Sequence, residues 1–217
     1  MIRVEFHCHT EYSPDSRVGI DELLRTAKKK HIDRIIVTDH NLIDGAIKAK
    51  IMAPEMIIIG EEVMTTKGEL LAAFVKEPIP RGLTPTEAIK ILREQGAFIS
   101  VSHPFDSMRS GVWDVDELQK IAPLVDAIEV FNSRCWSMEK NQMAADFAAA
   151  NSLLGTVGSD AHSSFELGRS TLILSEFNDA IELKAVIGSA KLDVKMSPFW
   201  VHFISTWAKW SKKVFRA

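Results

Sequence analysis

The sequence predicts an α/β fold built from repeated strand–helix units, and three observations carry that reading. Short β-branched apolar runs recur, each followed by a longer segment with helical spacing. Such alternation yields parallel strands joined by right-handed crossovers, with helices covering the sheet. The first strand runs into His7-Cys8-His9 rather than a glycine-rich loop, which disfavours a nucleotide-binding open sheet. The chain of 217 residues is 46% hydrophobic and 25% charged, ordinary for a globular domain with its own core. A barrel of about seven strands or an open doubly wound sheet is expected.

Strands are expected at residues 2–7, 34–38, 56–60, 97–101, 126–131, 154–158 and 170–174. Each is a short run rich in Val, Ile, Leu or Phe. Helices are expected at residues 20–31, 43–52, 85–95, 115–121, 138–150 and 178–189, where apolar positions recur at three- and four-residue steps. Residues 69–75 read as the second half of a hairpin turning at Lys67-Gly68. Thr84-Pro85 followed by Glu87 is a capping-box start, and Gly96 closes that helix.

Residues 1–197 are expected to form one catalytic barrel, and residues 198–217 an amphipathic helix of different character. In the latter, Trp200, Phe203, Trp207, Trp210 and Val214 recur at helical steps. Lys209, Lys212, Lys213 and Arg216 stand there without an acid, so with −3 for the whole chain the remainder is net −7. Docking of the aromatic stripe on the barrel is the first expectation. An anionic membrane, a partner or nucleic acid are the others.

The net charge of −3 argues against nucleic-acid binding by bulk charge alone and leaves room for a small polyanionic substrate. Cys8 and Cys135 make no disulfide framework, which fits a reducing compartment. The first residues show no signal peptide, and no apolar run approaches the roughly 20 residues of a membrane span. A cytoplasmic protein is expected, of unspecified oligomeric state.

Of the seven histidines, His7, His9, His40, His103 and His162 fall at or just past a strand's C-terminal end. Asp15, Asp39, Glu62, Glu129 and Asp160 occupy the same kind of place. In a parallel barrel those ends open on one face. Carboxylates gathered there repel one another unless cations neutralise them, and His with Asp or Glu is a ligand set for zinc, manganese or iron. His7 and His9 are two apart and face the same way, with Cys8 opposite. Asp39 either caps the next helix or supports a ligating imidazole. His31 and His202 fall in helices away from the cluster.

The ordered set Phe6-His7-Cys8-His9-Thr10, Thr38-Asp39-His40, Ser102-His103-Pro104 and Gly158-Ser159-Asp160-Ala161-His162 resembles the PHP (polymerase and histidinol phosphatase) domain family. Gly60-Glu61-Glu62, Gly68-Glu69-Leu70 and Glu129 to Arg134 extend the likeness to stand-alone members. The resemblance implies a distorted (β/α)7 barrel and a metal-dependent phosphoesterase. It further implies two or three divalent ions: manganese, iron or zinc, with magnesium a further candidate. His7, His9, Glu62 and Asp160 would hold the first ion. Glu62 would bridge to a second, shared with Glu69 and His103, while Asp15, His40 and His162 would hold a third.

Many members carry histidine where Glu69 stands, and some where Asp15 stands. The harder carboxylates favour manganese, iron or magnesium over an all-zinc site. Glu129 is left open between an inert rim group, a support for a ligand, and a ligand. Arg134 would clamp phosphate, with Arg17 and Arg169 weaker candidates. A metal-bridging hydroxide would attack phosphorus in line, and His40, Asp15 or water would protonate the leaving group. The substrate would be a small or nucleotide-like phosphate ester. An exonuclease on oligonucleotide ends, an amidohydrolase-like enzyme and a non-catalytic metal-binding module are the alternatives.

Overall fold

The computed structural model describes residues 1–215. In chain order the elements are β1 (Ile2–Cys8), α1 (Ile20–Lys29), β2 (Arg34–Val37), α2 (Asp44–Met52), β3 (Ile57–Met64), β4 (Glu69–Ala73), α3 (Pro85–Glu94) and β5 (Phe98–Val101). There follow α4 (Val115–Ile121), β6 (Ala127–Asn132), α5 (Met138–Ala150), β7 (Leu154–Gly158), β8 (Ser170–Leu174), α6 (Ala180–Ile187), β9 (Lys191–Val194) and α7 (Val201–Phe215).

These strands form one sheet in the order β7-β6-β5-β4-β3-β2-β1-β8-β9. It curls until the ends of β7 and β1 nearly meet: Cys8 bridges Ala161, with the His9 amide donating to the Ala161 carbonyl at 2.9 Å. The α/β barrel-like architecture is the one expected; among the described residues the sheet has nine strands, the eight expected segments and one more. The β3–β4 hairpin is antiparallel as expected, pairing Met64 with Glu69. By contrast, β8 runs antiparallel to β1 rather than parallel. Only the short loop 159–169 separates it from β7, too little chain for a crossover. β9, exposed throughout, extends that edge and has no counterpart among the expected strands.

Inside the barrel lie Val4, Phe6, Ile36, Leu71, Phe98, Ala127 and Val157, with Phe6 edge-on to Phe98 at 5.8 Å. Outside, α1 and α2 cover β2 through Leu23, Ala27, Ala46 and Ala49. The helices α3, α4 and α5 cover the far side through Leu92, Leu118 and Ala144. The capping box forms as expected: Thr84 accepts from the Glu87 amide, and Glu87 returns the bond at 2.8 Å.

Two irregularities aim side chains at the barrel mouth. The β1–β2 register slips between Glu5 and Cys8, and the β6–β7 register slips between Glu129 and Phe131. An extra residue in a strand bends it and re-aims the side chains beyond it. That is how Phe6 joins the interior core while His7 and His9 face the polar cluster.

The C-terminal helix does not dock by its aromatic stripe. Val201, Ala208 and Ser211 are buried against the barrel, while Phe203, Trp207, Trp210 and Val214 stay exposed. The helix is pinned by polar bonds. Arg134 donates to Ser205 Oγ at 2.8 Å, and Lys212 donates to the Glu11 and Ser13 carbonyls at 2.5 Å. Small side chains permit this close backbone approach, which indole rings at those positions would prevent. Arg216 of the expected basic set lies outside the described residues.

Candidate metal centre

All nine sequence-assigned ligands meet at one mouth of the barrel. Glu62, at the centre, is buried on β3. Its Oε2 lies 3.4 Å from both His7 Nε2 and His9 Nε2, and 3.0 Å from His40 Nδ1. Its Oε1 lies 3.2 Å from His103 Nε2. Asp160 Oδ1 stands 3.6 and 3.3 Å from the same His7 and His9 nitrogens. Glu69 Oε2 is 3.6 Å from His103 Nε2, and its Oε1 is 3.8 Å from His40 Nδ1. Asp15 reaches His40 Nε2 at 3.4 Å and His162 Nε2 at 3.3 Å.

Ligand atoms about 2.1 Å from a tetrahedral ion stand about 3.4 Å apart, so these separations suit coordination. The buried oxygens Asp15 Oδ1, Glu62 Oε2 and Asp160 Oδ1 have no hydrogen-bond partner. Such atoms are costly unless a cation completes them. The donor set therefore fits divalent ions. One detail differs from the expected partition. His40 turns Nδ1 to Glu62 and Nε2 to Asp15, so it stands between the second and third groups.

A ring of hydrogen bonds orients the imidazoles. His7 Nδ1 donates to Glu129 Oε1 at 2.9 Å, leaving Nε2 free for a metal. Glu129 Oε2 accepts from the His103 amide at 2.9 Å and from Asn132 at 3.0 Å. Of the three readings left open for Glu129, support for a ligand is the one its contacts match. His162 Nδ1 donates to the Asp160 carbonyl at 2.8 Å. His9 Nδ1 lies 3.2 Å from Ser13 Oγ, which donates to Asp39 at 2.8 Å. Asp39 also accepts from the Thr10 amide and hydroxyl at 2.7 and 2.6 Å. It supports the His9 loop and does not cap α2, whose start has no side-chain cap.

Backbone strain collects here too. His103 and Asp160 have φ of 20° and 51°, conformations that side chains adopt at a cost of about 1–3 kcal/mol and that cluster at functional sites. Glu5, fully buried below them, accepts from the amides of Ser159 and Gly168 at 3.0 and 2.8 Å and fixes the loop presenting Asp160. Burial raises its pKa to about 7 despite those bonds.

Gly158 lets His7 and Glu129 approach, for a Cβ there would lie 2.3 Å from His7 Cβ and 2.6 Å from Glu129 Oε1. Gly158→Ala is expected to cost about 1–3 kcal/mol by overpacking and to weaken metal retention. Thermal unfolding and metal analysis of the purified variant check both.

The charges are interdependent. Burial depresses His7 and His40, but nearby carboxylates, Glu62 foremost, overcome it and hold both imidazoles well above their ordinary pKa. His9 is brought down to about 3 by burial and by the His162 and His40 rings. Burial raises Glu62 and Asp160, yet His7 and His40 hold the former low, and Arg109 and His7 the latter. Imidazole binds metal only when neutral, so loading must displace protons that the carboxylates favour on His7 and His40. Loading is expected to release protons, with affinity falling as pH drops. Calorimetry in buffers of different ionisation enthalpy measures the number.

Beside the ligands opens a cavity of about 330 Å3. Asp15, His40, Glu69 and His162 line its floor, Arg109 and Arg134 its sides. Its outer wall is Trp136 with His202, Ser205 and Thr206 of α7. His202, expected away from the cluster, stacks on Trp136 at 4.5 Å and 9°. Burial first, then Arg134, brings its pKa to about 4. Its position follows from the docking of α7, which chain distance does not reveal.

Arg109 is a site residue that the sequence pattern does not single out. It bonds Asp160 Oδ2 at 2.5 Å and Asp106 at 3.2 Å; it sits in a loop after His103, where only the fold gives it a direction. Arg134 is buried against His162, Glu166 and Ser205 rather than open to solvent. Arg17 lies over the Trp207 ring at 4.6 Å and Arg169 donates to the Met196 carbonyl at 2.6 Å, both outside this cavity.

The PHP domain family matches residues 5–111, and the PHP-associated family residues 138–190. Two uncharacterized proteins of Methanocaldococcus jannaschii are similar. MJ1587 is 34% identical over 61% of this chain and 82% of its own length, and MJ0417 36% over 82% and 72%. Among solved structures, PsfC of Pseudomonas syringae superposes with a TM-score of 0.71 at 20% identity, over 97% of this chain and 99% of its own. A Bifidobacterium adolescentis protein assigned as a metal-dependent phosphoesterase gives 0.62 at 16%, over 74% and 88%. A lesion-specific endonuclease of Pyrococcus furiosus gives 0.60 at 18%, over 88% and 57%. The structural likenesses carry the fold. The match over residues 5–111 and the relatives above 30% identity establish that the chain belongs to the PHP domain family.

Proposed function

We propose that this protein is a metal-dependent phosphoesterase that hydrolyses a phosphate ester of a small or nucleotide-like substrate. The observation that carries this is one buried carboxylate, Glu62, contacting four imidazoles beside a cavity that holds two guanidiniums. His7, His9, Glu62 and Asp160 would hold one ion, Glu62, Glu69 and His103 a second, and Asp15, His40 and His162 a third. Divalent ions bound there supply Lewis-acid polarisation of a phosphoryl oxygen and make water acidic enough to serve as nucleophile near neutral pH.

The chain's own groups do the rest. Arg109, with 18% of its side chain exposed, reaches the cavity and offers guanidinium donors to a non-bridging phosphate oxygen. Arg134 has most of its donors engaged within the protein, and acts first by pairing with Glu166 and holding α7 in place. Asp15 and His40 are the least buried ligands and line the cavity. Despite burial, the His162 and His40 rings hold the Asp15 carboxyl well below the usual carboxylate range, so His40 or water, rather than Asp15, would protonate the leaving oxygen. Trp136 and His202, stacked on one another, also line the cavity. The unpaired, buried Cys8 and Cys135 support a reducing, cytoplasmic setting. Among the described residues, no helix is long and apolar enough to cross a membrane.

The test is a hydrolysis screen of metal-loaded protein against phosphomonoesters, phosphodiesters and short oligonucleotides. Phosphate release from a small ester, abolished by chelation and restored by manganese, iron or zinc, is the expected result. Cleavage confined to oligonucleotides would replace this reading with a nuclease. No hydrolysis of any of them would leave a metal-binding module.

A further inference from the structure

The C-terminal helix presents an aromatic ridge that the fold leaves in solvent. Phe203, Trp207, Trp210 and Val214 are 67, 54, 59 and 47% exposed, and their three- and four-residue spacing sets them along one side of α7. The ridge continues past the helix start: Phe199 meets Phe203 at 6.3 Å, and Trp200 meets the exposed Phe165 at 5.1 Å. Isolated apolar side chains on a surface need no explanation, but a continuous ridge of this size marks a place where another surface sits.

Charge and composition select the occupant. Residues 198–217 hold four basic residues and no acid, whereas the rest of the chain is net −7. Lys209 and Lys213 are exposed about a quarter to a third of a turn round the helix from the ridge, and the Arg17 guanidinium lies over the Trp207 ring. A second copy meeting the ridge across a two-fold axis would set this cationic helix against itself, because such contacts join identical patches. An anionic surface meets it with complementary charge.

The ridge is built of Trp and Phe with a single Val. Trp in particular favours the boundary between hydrocarbon and headgroups, where its ring is buried and its N–H stays wet. With 15 residues, α7 is about 22 Å long, short of the roughly 30 Å of a bilayer core. It has the makeup of a helix that lies in the interface plane.

We propose that α7 attaches this protein to bilayers rich in anionic phospholipid, with Phe203, Trp207 and Trp210 entering the headgroup boundary and Lys209 and Lys213 facing the lipid phosphates. The polar flank of the same helix, His202, Ser205 and Thr206, walls the metal cavity. Attachment therefore holds the cavity mouth close to the membrane surface. The inference is independent of which ester the cavity takes.

Co-sedimentation of the full chain with vesicles tests it. Vesicles of phosphatidylcholine with about 30% phosphatidylglycerol should bind at least about tenfold more tightly than phosphatidylcholine alone, since each basic residue near an anionic surface contributes a factor of about five. Binding should weaken sharply at about 1 M salt, where the screening length is about 3 Å. The double variant Phe203→Ser/Trp210→Ser should lose vesicle binding while keeping its melting temperature and hydrolytic activity. Should that variant fail to fold, Lys209→Gln/Lys213→Gln, at two exposed positions, should still reduce binding to the anionic vesicles alone.

Absence of binding to anionic vesicles overturns the proposal, as does equal binding to both kinds. So does a dimer that the double variant makes monomeric without any vesicle binding, or binding to an oligonucleotide but not to lipid.

Discussion

Exchanging Glu62 for glutamine is expected to abolish turnover, a loss of about a thousand-fold or more, and to remove more than one equivalent of metal per chain. One carboxylate touches His7, His9, His40 and His103, so its charge serves every donor group but the Asp15 end of the cluster. Glutamine keeps the volume but turns an amide N–H₂ toward the imidazoles and the ion positions. Lewis-acid stabilisation is worth several kcal/mol, and about 1.4 kcal/mol is a factor of ten in rate.

Glu61→Gln is the matched control. Its side chain points to the opposite face of β3 and accepts from the Ile79 amide at 3.0 Å, so metal content should stay intact. Metal analysis decides. Full occupancy in Glu62→Gln would refute the bridging assignment.

Arg134→Ala is expected to destabilise the fold by about 3–5 kcal/mol, the cost of leaving a buried partner charge uncompensated. Arg134 is 3% exposed and Glu166 fully buried, with Arg134 Nε 3.3 Å from Glu166 Oε1. The same guanidinium holds Ser205 and the Val201 carbonyl of α7. Its loss should loosen the helix that walls the cavity and reduce turnover, through geometry as much as through phosphate binding. Lysine offers one compact ammonium in place of a planar fork and should recover only part of the stability. Thermal unfolding together with kinetics on the active ester separates the two effects. An unchanged melting temperature would return Arg134 to the role of a free phosphate clamp.

Much of the fold and site is legible in the chain because it rests on local chemistry. The histidines that follow β-branched runs stand where strands end, and strand ends in such folds share a face. His7 and His9 can be set on one side of β1 from their spacing alone. The capping box at Thr84 and the Lys67-Gly68 hairpin are likewise written in adjacent residues. Resemblance to a family then gathers nine dispersed residues into one expected centre.

The features that escape a sequence reading depend on contacts between distant segments. Strand direction at β8 is the exception: apolar runs carry no arrow, but the expected strands 154–158 and 170–174 already leave too short a loop for a crossover. Arg109 and His202 enter the site through a loop path and a helix docking that no periodicity encodes. Glu129 and Asp39 receive their roles from the partners that folding gives them, His7 and the Thr10–Ser13 loop.

The C-terminal helix shows the division most plainly. By itself the sequence predicted a cationic helix with an aromatic stripe over residues 198–217, because period and charge are properties of the chain, and Val201–Phe215 form one. Which face of that helix would be buried was decided only by the tertiary structure. Close packing against the barrel admits Val201, Ala208 and Ser211 where indole rings would not fit, and Arg134 and Lys212 pin the polar side. The most hydrophobic face is therefore left to solvent, since steric fit and buried hydrogen bonds outweighed apolar area at that contact.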